Sequence, residues 1–252
     1  VKKKQFRIEH DTLGKKEVPA DAYYGIQTVR ALENFPISGI KQYSEFILAT
    51  ALIKKAAVLT NMDVGKLDRR RGNAITKSAG EIIEGKLHDQ FVVDVFQAGA
   101  GTSHNMNANE VIANRAIEML GGKKGDYSII HPNDHVNMSQ STNDVFPTAM
   151  RIAAVIANDK LVDVLKGLSK ALHSKGREFD KVIKSGRTHL QDAVPIRLGQ
   201  EFTAYAVIVD RVMKEIHMSR ERLLILGIGG SAVGTGVNTH PLYQKKIIMH
   251  MR

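Results

Sequence analysis

The sequence predicts a mainly α-helical protein, with a mixed but mostly helical N-terminal domain (residues 1–140) followed by part of a long-helix bundle (141–252). The main observation is a 4-3-4 spacing of apolar residues in the second half, which is the seam pattern of helices packed side by side. The spacing runs through Leu161, Leu165, Leu168 and Leu172, and again through Leu198, Phe202, Tyr205, Val209, Val212 and Ile216. Strand-like runs are scarce, with Tyr127–Ile130 as a short candidate.

The first half divides into an irregular start and three predicted helices. Turn signals lie at Leu13-Gly14, Val18-Pro19 and Phe35-Pro36, so residues 1–40 are predicted to be irregular. Apolar residues at helical spacing then predict helices over 44–60, 72–96 and 105–120. Gly121-Gly122 follows the third of these and is typical of a helix end.

The composition indicates a soluble globular protein. The chain has 252 residues, of which 43% are hydrophobic and 25% charged, which excludes disordered and low-complexity classes. No apolar run approaches the ~20 residues that a membrane helix needs, so we expect no membrane partner. There is no cysteine, which excludes disulfides, thiolate metal sites and a cysteine nucleophile, and which fits a cytoplasmic location.

The net charge of +10 raises nucleic-acid binding as a hypothesis. The basic residues are scattered, however, and the densest runs, Lys2–Lys4 and Arg69–Arg71, hold only three charges each. Runs of that length usually lie on a solvated face, so we expect no nucleic-acid partner. An acidic portion of a longer chain would also explain the imbalance.

Three segments imitate known motifs without matching them. Gly80–Lys86 approaches a phosphate-binding loop, but Leu87 stands where a serine or threonine would hold magnesium. Gly227–Ala232 imitates a dinucleotide fingerprint, although the apolar residues before it belong to the helical seam. His131–His135 offers metal-capable side chains, but Pro132 interrupts the helix that would align them, which favours a hydrogen-bonded polar turn.

Three polar segments carry the stronger signal, because each lies next to a predicted helix. They are Gly101–Asn107, Ser139–Asp144 and Gly186–Pro195. Helix capping alone would explain each of them. Taken together, they predict a site rich in neutral hydrogen-bond donors with one imidazole, His189, and such a site suits carboxylates better than phosphates.

The same segments resemble the aspartase/class II fumarase superfamily. The matching motifs are Asn105–Val111, His131–Asn137, Ser139–Asp144, Gly186–Asp192 and Gly230–Gly236. The resemblance extends from Phe6 to Leu242, nearly the whole chain. It implies a helical fold of the aspartase/fumarase type and reversible elimination of ammonia from L-aspartate to give fumarate, through an aci-carboxylate intermediate.

The resemblance also implies roles for particular residues. Thr102, Ser141 and Thr142 would bind the β-carboxylate of the substrate, and Thr188 would bind the α-carboxylate. The side chains of Asn143 and His189 would lie near the leaving amine, with His189 as the catalytic residue of this chain. The resemblance implies no cofactor, assigns no metal ligand, and leads us to expect a homotetramer whose sites are shared between subunits.

Details within the superfamily favour an aspartase over its relatives. Tyr24 stands where class II fumarases usually carry tryptophan, and Leu190 and Val194 stand where fumarases tend to carry threonine. His104 departs from the pattern, since a small polar residue or glutamine is expected there. Class II fumarate hydratase and a non-catalytic helical assembly module remain as alternatives.

The sequence lacks one motif of the superfamily. Members carry a Gly-Ser-Ser-x-Met-Pro-x-Lys-x-Asn loop whose serine is the general base, and no such motif occurs in these 252 residues. We therefore expect the chain to be truncated, with the general base beyond residue 252.

Overall fold

The computed structural model describes residues 5–252. The contacts divide these residues into two compact units, the first running to Ala153 and including Leu226–Arg252, and the second covering Ala154–Ile225. In chain order the elements are β1 (Phe6–Asp11), β2 (Gly14–Pro19), α1 (Ile26–Asn34), α2 (Ser44–Asp63), α3 (Arg69–Ile83), α4 (Thr102–Met119), α5 (Thr142–Glu178), β3 (Ile183–Thr188), β4 (Gln191–Arg197), α6 (Leu198–Leu223) and α7 (Tyr243–His250). A 3₁₀ turn (His88–Gln90) and a π-helical turn (Pro132–Val136) complete the list. The division into domains at residue 140 stays a prediction.

The mainly helical class is confirmed, and so are two of the helices predicted in the first half. The predicted helix 44–60 is α2, and the predicted helix 105–120 is α4. Gly121 follows α4 with φ +82°, a left-handed conformation that glycine adopts without steric cost and that ends the helix as predicted.

Three predictions for the first half were wrong. Residues 1–4 lie outside the described residues, and residues 5–40 are not irregular, because β1 pairs with β2 in an antiparallel hairpin and α1 follows. The predicted helix 72–96 is α3 and ends at Ile83, since Gly85 (φ +89°) and Leu87 (φ 61°) take left-handed conformations that a regular helix does not allow. The segment 127–130 is not a strand but part of a series of turns.

Helix α1 begins where two buried carboxylates meet its N-terminal N–H groups. Glu110 on α4 accepts hydrogen bonds from the backbone N–H groups of Gly25, Gln27 and Thr28 and from the Thr28 hydroxyl. Glu9 on β1 accepts from the N–H of Ile26. Burial raises the pKa of the Glu110 carboxyl to about 7, while these hydrogen bonds act in the opposite direction. The start of α1 therefore depends on partners far away in the sequence.

The core of the first unit is built around α2, which is buried on most of its surface. On one side α3 and α4 pack against it, with Ile75, Ile82, Val111, Ile112 and Ile117 in the core. On another side α7 packs against α2 and the start of α5, with Phe46, Ile53, Val145, Tyr243 and Ile247. Because neighbouring elements cover most of α2, a polar side chain on this helix can be fully enclosed, as that of Lys54 is.

The second unit consists of the later part of α5, the β3–β4 hairpin and α6. The Ser169 hydroxyl and the His173 imidazole on α5 both bond the carboxylate of Asp210 on α6. Much of the predicted seam is exposed on this unit, including Leu161, Leu168, Tyr205 and Val212. Among the described residues, no helix is both long enough and apolar enough to span a membrane.

Helices α5 and α6 approach closely near the hairpin because Gly199 has no side chain. A Cβ atom added to Gly199 would lie 2.3 Å from the carbonyl oxygen of Gly176 and 2.8 Å from Cα of Asp180. Both are backbone atoms, which cannot move aside as a flexible side chain would.

We therefore expect Gly199→Ala to lower the free energy of unfolding by about 1–3 kcal/mol, the usual range for overpacking. Thermal and urea unfolding followed by circular dichroism would measure the change. Gly167→Ala on α5 is the matched control, because open space surrounds that position and alanine should stabilise the helix by about 0.5–1 kcal/mol. Equal effects of the two substitutions would contradict the packing argument.

Candidate active site

The first turn of α4 lies against the start of α5. Gly101 precedes α4 with φ +76° and offers no capping side chain. A Cβ atom at Gly101 would lie 2.0 Å from the ring of Phe146 on α5, so the two segments are in direct contact. Thr102, the first residue of α4, is exposed. This places a predicted site residue at the positive end of a helix dipole, where a carboxylate is favoured.

The first turn of α5 is closed by a reciprocal pair of hydrogen bonds. The Ser141 hydroxyl accepts from the N–H of Asn143, and the Asp144 carboxylate accepts from the N–H of Ser141 at 3.0 Å. This arrangement is a capping box with aspartate in place of glutamate. Ser141 and Thr142 are half-buried and Asn143 is exposed, so all three predicted site residues lie at the start of this helix.

Asp144 also fixes a distant loop beside α5. Its second carboxylate oxygen accepts hydrogen bonds from the N–H groups of Gly229 (3.0 Å) and Ser231 (2.9 Å). The Asn143 amide donates to the carbonyl of Ala232 at 3.0 Å. The side chain of Asp144 is buried, and its carboxylate has three backbone donors, the N–H groups of Ser141, Gly229 and Ser231.

Lys54 on α2 lies beneath these loops and is 0% exposed. Its ammonium group donates to the side-chain oxygens of Asn105 (2.8 Å), Asn137 (2.8 Å) and Gln140 (2.9 Å). The three hydrogens of the ammonium therefore meet three neutral acceptors, with no carboxylate among them. Burial lowers the pKa of Lys54 to about 7, while the negative charge of Asp144 acts in the opposite direction.

Asn105 joins the two helix starts above this lysine. Its side-chain oxygen accepts from Lys54, and its NH₂ group lies 3.1 Å from the side-chain oxygen of Asn137 and 3.4 Å from the hydroxyl oxygen of Thr142. The amides of Asn137 and Gln140 donate in turn to backbone carbonyls of their own loop. One connected network thus runs from the buried ammonium to a predicted site residue.

His104, which departs from the superfamily pattern, is buried rather than part of an open site. Its ring packs against Phe46, with the ring centroids 4.7 Å apart, and against Phe91 and Phe146. Its Nε2 atom lies 2.9 Å from the Thr50 hydroxyl. Burial and the charge of Lys54 lower the pKa of His104 to about 3, so the imidazole adds no charge at neutral pH.

Thr188 and His189 lie in the second unit, at the tip of the β3–β4 hairpin. The sequence analysis identified Gly186–Pro195 only as a polar segment next to a helix, and the antiparallel pairing of β3 with β4 was not predicted. His189 (φ 46°) and Leu190 (φ 62°) form its two-residue turn and are both left-handed. Such turns favour asparagine and glycine, so this histidine and leucine are held in a strained backbone conformation.

Relieving that strain should stabilise the hairpin. We expect Leu190→Gly to raise the free energy of unfolding by about 0.5–1 kcal/mol, since a left-handed L-residue costs about 1–2 kcal/mol and glycine loses part of that gain in the unfolded chain. Leu190 is 93% exposed, so little packing is lost with its side chain. Leu190→Ala is the control, because it removes the same side chain and keeps the strain. Urea unfolding that ranks alanine above glycine would contradict the interpretation.

The three segments that imitate known motifs form ordinary turns, helix ends and loops. The His131 imidazole accepts from the N–H groups of Asn133 and Asp134, and the His131 N–H donates to the ring of His135 at 2.8 Å. This is the hydrogen-bonded polar turn that was predicted. Gly80–Lys86 covers the end of α3 rather than a loop after a strand, and Gly229 and Ser231 are bound by Asp144.

Sequence reasoning missed Lys54 and the anchoring function of Asp144. Lys54 stands among the apolar residues of α2, four residues after Thr50 and four before Val58, and all three are buried. That spacing places it on an inward face and was the available signal. Nothing in the local sequence shows that Asp144 binds Gly229 and Ser231, which lie 85 and 87 residues away.

The chain belongs to the lyase family, whose pattern matches residues 14–252. Its fold agrees with that of a fumarate lyase:delta crystallin from Brucella melitensis, with a TM-score of 0.95 and 48% identity. That alignment covers 98% of this chain and 54% of the Brucella chain.

Two curated relatives are similar in sequence along the same region. An aspartate ammonia-lyase from Bacillus subtilis (strain 168) is 56% identical over 248 residues, which cover 98% of this chain and 52% of that protein. A class II fumarate hydratase from Halobacterium salinarum is 54% identical over 238 residues, covering 94% of this chain and 50% of that protein. The chain spans about half the length of the curated relatives it matches.

Proposed function

We propose that the whole protein is an aspartate ammonia-lyase, which removes ammonia from L-aspartate to give fumarate, and that this chain supplies loops that bind the substrate carboxylates. The observation that carries the proposal is the meeting of two helix starts, α4 and α5, through Asn105 and Thr142. Helix N-termini favour anions, and the residues exposed or half-buried there are neutral donors. The similarity to aspartate ammonia-lyases supports the same reaction.

The chemistry explains why neutral donors suit this site. The proton that is removed lies on the carbon next to the β-carboxylate and is weakly acidic, so the negative charge of the aci-carboxylate must be stabilised as it forms. Preorganised donors in a site shielded from water do this most effectively. We assign Thr102, Ser141 and Thr142 to the β-carboxylate, where this charge develops.

The remaining predicted residues are assigned to the other end of the substrate. Thr188 binds the α-carboxylate, and Asn143 and His189 lie near the leaving amine. The strained turn at His189 and Leu190 supports a functional tip, because backbone strain of this kind is concentrated at active sites. The general base is assigned to the serine of the superfamily loop, which the 252 residues do not contain. No cofactor is required, since the substrate's own carboxylate accepts the electrons.

Loss of the imidazole should reduce turnover without abolishing it. In the complete gene product we expect His189→Ala to lower kcat for aspartate about 10²-fold, the lower end for a positioned proton-transfer group. Steady-state kinetics across pH would measure this, with thermal unfolding to confirm an intact fold. A loss smaller than about threefold would contradict the assignment of His189 to the leaving amine.

The second candidate function is hydration of fumarate, which the similarity to the Halobacterium fumarate hydratase favours. Water would replace ammonia in an otherwise unchanged site. Tyr24, Leu190 and Val194 support the ammonia-lyase instead, because they follow the aspartase form of their motifs.

We further propose that the protein is a homotetramer, with sites shared between subunits. The second unit leaves large apolar side chains exposed along the helices, among them Val164 (70%), Val207 (56%) and Met218 (66%). Apolar patches of this kind mark interfaces. Light scattering at micromolar concentration would contradict the proposal if it gave the mass of a monomer. The cytoplasmic location stays a prediction.

The test of the function is an assay of the complete gene product after dialysis. We expect L-aspartate to produce the ultraviolet absorbance of fumarate without added cofactor. The 252-residue chain assayed alone should show no activity, because binding loops without a base leave turnover undetectable. Faster hydration than amination of fumarate would overturn the ammonia-lyase assignment, and activity of the 252-residue chain would place the base within it.

A further inference from the structure

We propose that Lys54 is a positioning residue, which fixes the orientation of three buried amides and thereby makes the Thr142 hydroxyl a hydrogen-bond donor toward the substrate carboxylate. The proposal rests on the function proposed above. It assigns a task to a side chain that lies beneath the loops and touches no substrate.

Lys54 determines which atom of each neighbouring amide faces it. An ammonium group has three donors and no acceptor, so each amide that faces it must present oxygen. The oxygens of Asn105, Asn137 and Gln140 lie 2.8–2.9 Å from Nζ of Lys54. Because an amide carries its oxygen and NH₂ group on opposite sides, the lysine also fixes where each NH₂ group points.

The orientation of the Asn105 amide determines whether the Thr142 hydroxyl oxygen accepts a hydrogen bond. The NH₂ group of Asn105 faces the Thr142 hydroxyl oxygen at 3.4 Å, which makes that oxygen an acceptor. The hydroxyl hydrogen is then left to donate elsewhere, and a carboxylate oxygen is the partner that a hydroxyl hydrogen suits. A flipped Asn105 would present its oxygen to Thr142 instead and would consume that hydrogen.

Lys54 carries a charged side chain at a position where an apolar one would fit. Its side chain is fully buried, and an apolar residue of similar size would fill the same space without the cost of removing a charge from water. A neutral residue would leave the side-chain oxygens of Asn105 and Gln140 without a donor and the amides free to flip, with only the Asn105 NH₂ group still facing the oxygen of Asn137. The lysine is therefore better explained by the orientation it imposes than by packing.

A double-mutant cycle in the complete gene product tests the coupling. We expect Lys54→Met to lower kcat/KM for aspartate about 10²-fold in the wild-type background, as for loss of one oxyanion donor. In a Thr142→Val background the same substitution should cost less than about threefold, since the hydroxyl through which Lys54 acts is already gone. Equal losses in both backgrounds would overturn the proposal. Lys55→Met on the same helix is the matched control and should leave kinetics unchanged.

A second variant covers the case in which Lys54→Met does not fold. Asn105→Asp keeps an acceptor for Lys54 but replaces the NH₂ group with an oxygen, which takes the Thr142 hydrogen. We expect calorimetry with succinate as the dicarboxylate probe to show the same loss of affinity for Asn105→Asp as for Thr142→Val, with no further loss in the double variant. Additive losses would contradict the coupling.

A structural measurement separates this proposal from the proposed function. Neutron diffraction from deuterium-exchanged crystals held at a pD well below the pKa of Lys54, which is about 7, should show three deuterons on Lys54, the Asn105 ND₂ group facing Thr142, and the Thr142 deuteron pointing away from Asn105. A deuteron of Thr142 directed at Asn105 would overturn the inference even in an active aspartate ammonia-lyase. If the deuterons have the expected orientation but the protein lacks ammonia-lyase activity, the inference about Lys54 stands and only the proposed function is overturned.

Discussion

Asp144→Ala should be among the most destabilising single substitutions in the chain, lowering the free energy of unfolding by about 3 kcal/mol or more. Its carboxylate, 3% exposed, accepts from the backbone N–H groups of Ser141, Gly229 and Ser231. Removal of the carboxylate leaves these three N–H groups without an acceptor. It also takes away the negative charge that favours the protonated form of buried Lys54. Urea unfolding followed by circular dichroism would measure the loss.

Two further variants test whether the loss of stability comes from the hydrogen bonds of the Asp144 carboxylate. Asp144→Asn should be intermediate, because an amide keeps one acceptor oxygen but turns an NH₂ group toward an N–H donor. Asp163→Ala is the matched control on the same helix, since Asp163 is exposed and its ion pair with Lys166 should contribute less than about 1 kcal/mol. A loss for Asp144→Ala no larger than that of the control would refute the anchoring function.

Gly25→Ala should have an effect of similar size at the start of α1. A Cβ atom there would lie 2.2 Å from the Tyr127 hydroxyl oxygen, 2.8 Å from a carboxylate oxygen of Glu9 and 2.9 Å from the Glu110 carboxyl carbon. The methyl group would push apart groups that hydrogen-bond one another and cap the helix. We expect a loss of about 3 kcal/mol, since overpacking adds to the cost of unpaired buried polar groups.

The control for this prediction is Gly80→Ala on α3, in the same unit. A Cβ atom at Gly80 meets open space, so alanine should be neutral or should stabilise the helix by up to about 1 kcal/mol. Thermal unfolding of the two variants side by side would show the difference. Similar melting temperatures for both would mean that the α1 start tolerates a methyl group and that the close contacts relax.

The sequence could predict elements whose evidence is local. Helices α2 and α4 follow from apolar spacing, and the end of α4 follows from Gly121. Helix α1 was missed because its start is bound by Glu9 and Glu110, and Glu110 lies more than 80 residues away in sequence. The β1–β2 hairpin is local, but the turn signals at Leu13-Gly14 and Val18-Pro19, which lie at the two ends of β2, were interpreted as irregular structure. The spacing of apolar residues within a few helical turns gives no information on hydrogen-bond partners that lie so far away in the sequence.

Part of the candidate site could also be predicted from the sequence, and part of it could not. Polar residues at the starts of α4 and α5 could be found from the sequence, because helix starts carry recognisable residue types. The amide network could not, since it depends on Lys54 facing inward from a helix that is apolar on most sides. The roles of Thr102, Ser141, Thr142, Asn143, Thr188 and His189 stay predictions.

The bonds from Asp144 to Gly229 and Ser231 have a consequence for biosynthesis. The chain of the first unit is interrupted after Ala153 and resumes at Leu226. During translation, the α5 start therefore emerges from the ribosome more than 80 residues before the backbone donors that complete its carboxylate's hydrogen bonds. Until those donors emerge, that carboxylate depends on water, so the nascent site is open and exposed to chaperones and proteases. Folding of the first unit is expected to finish late, after the second unit has been synthesised.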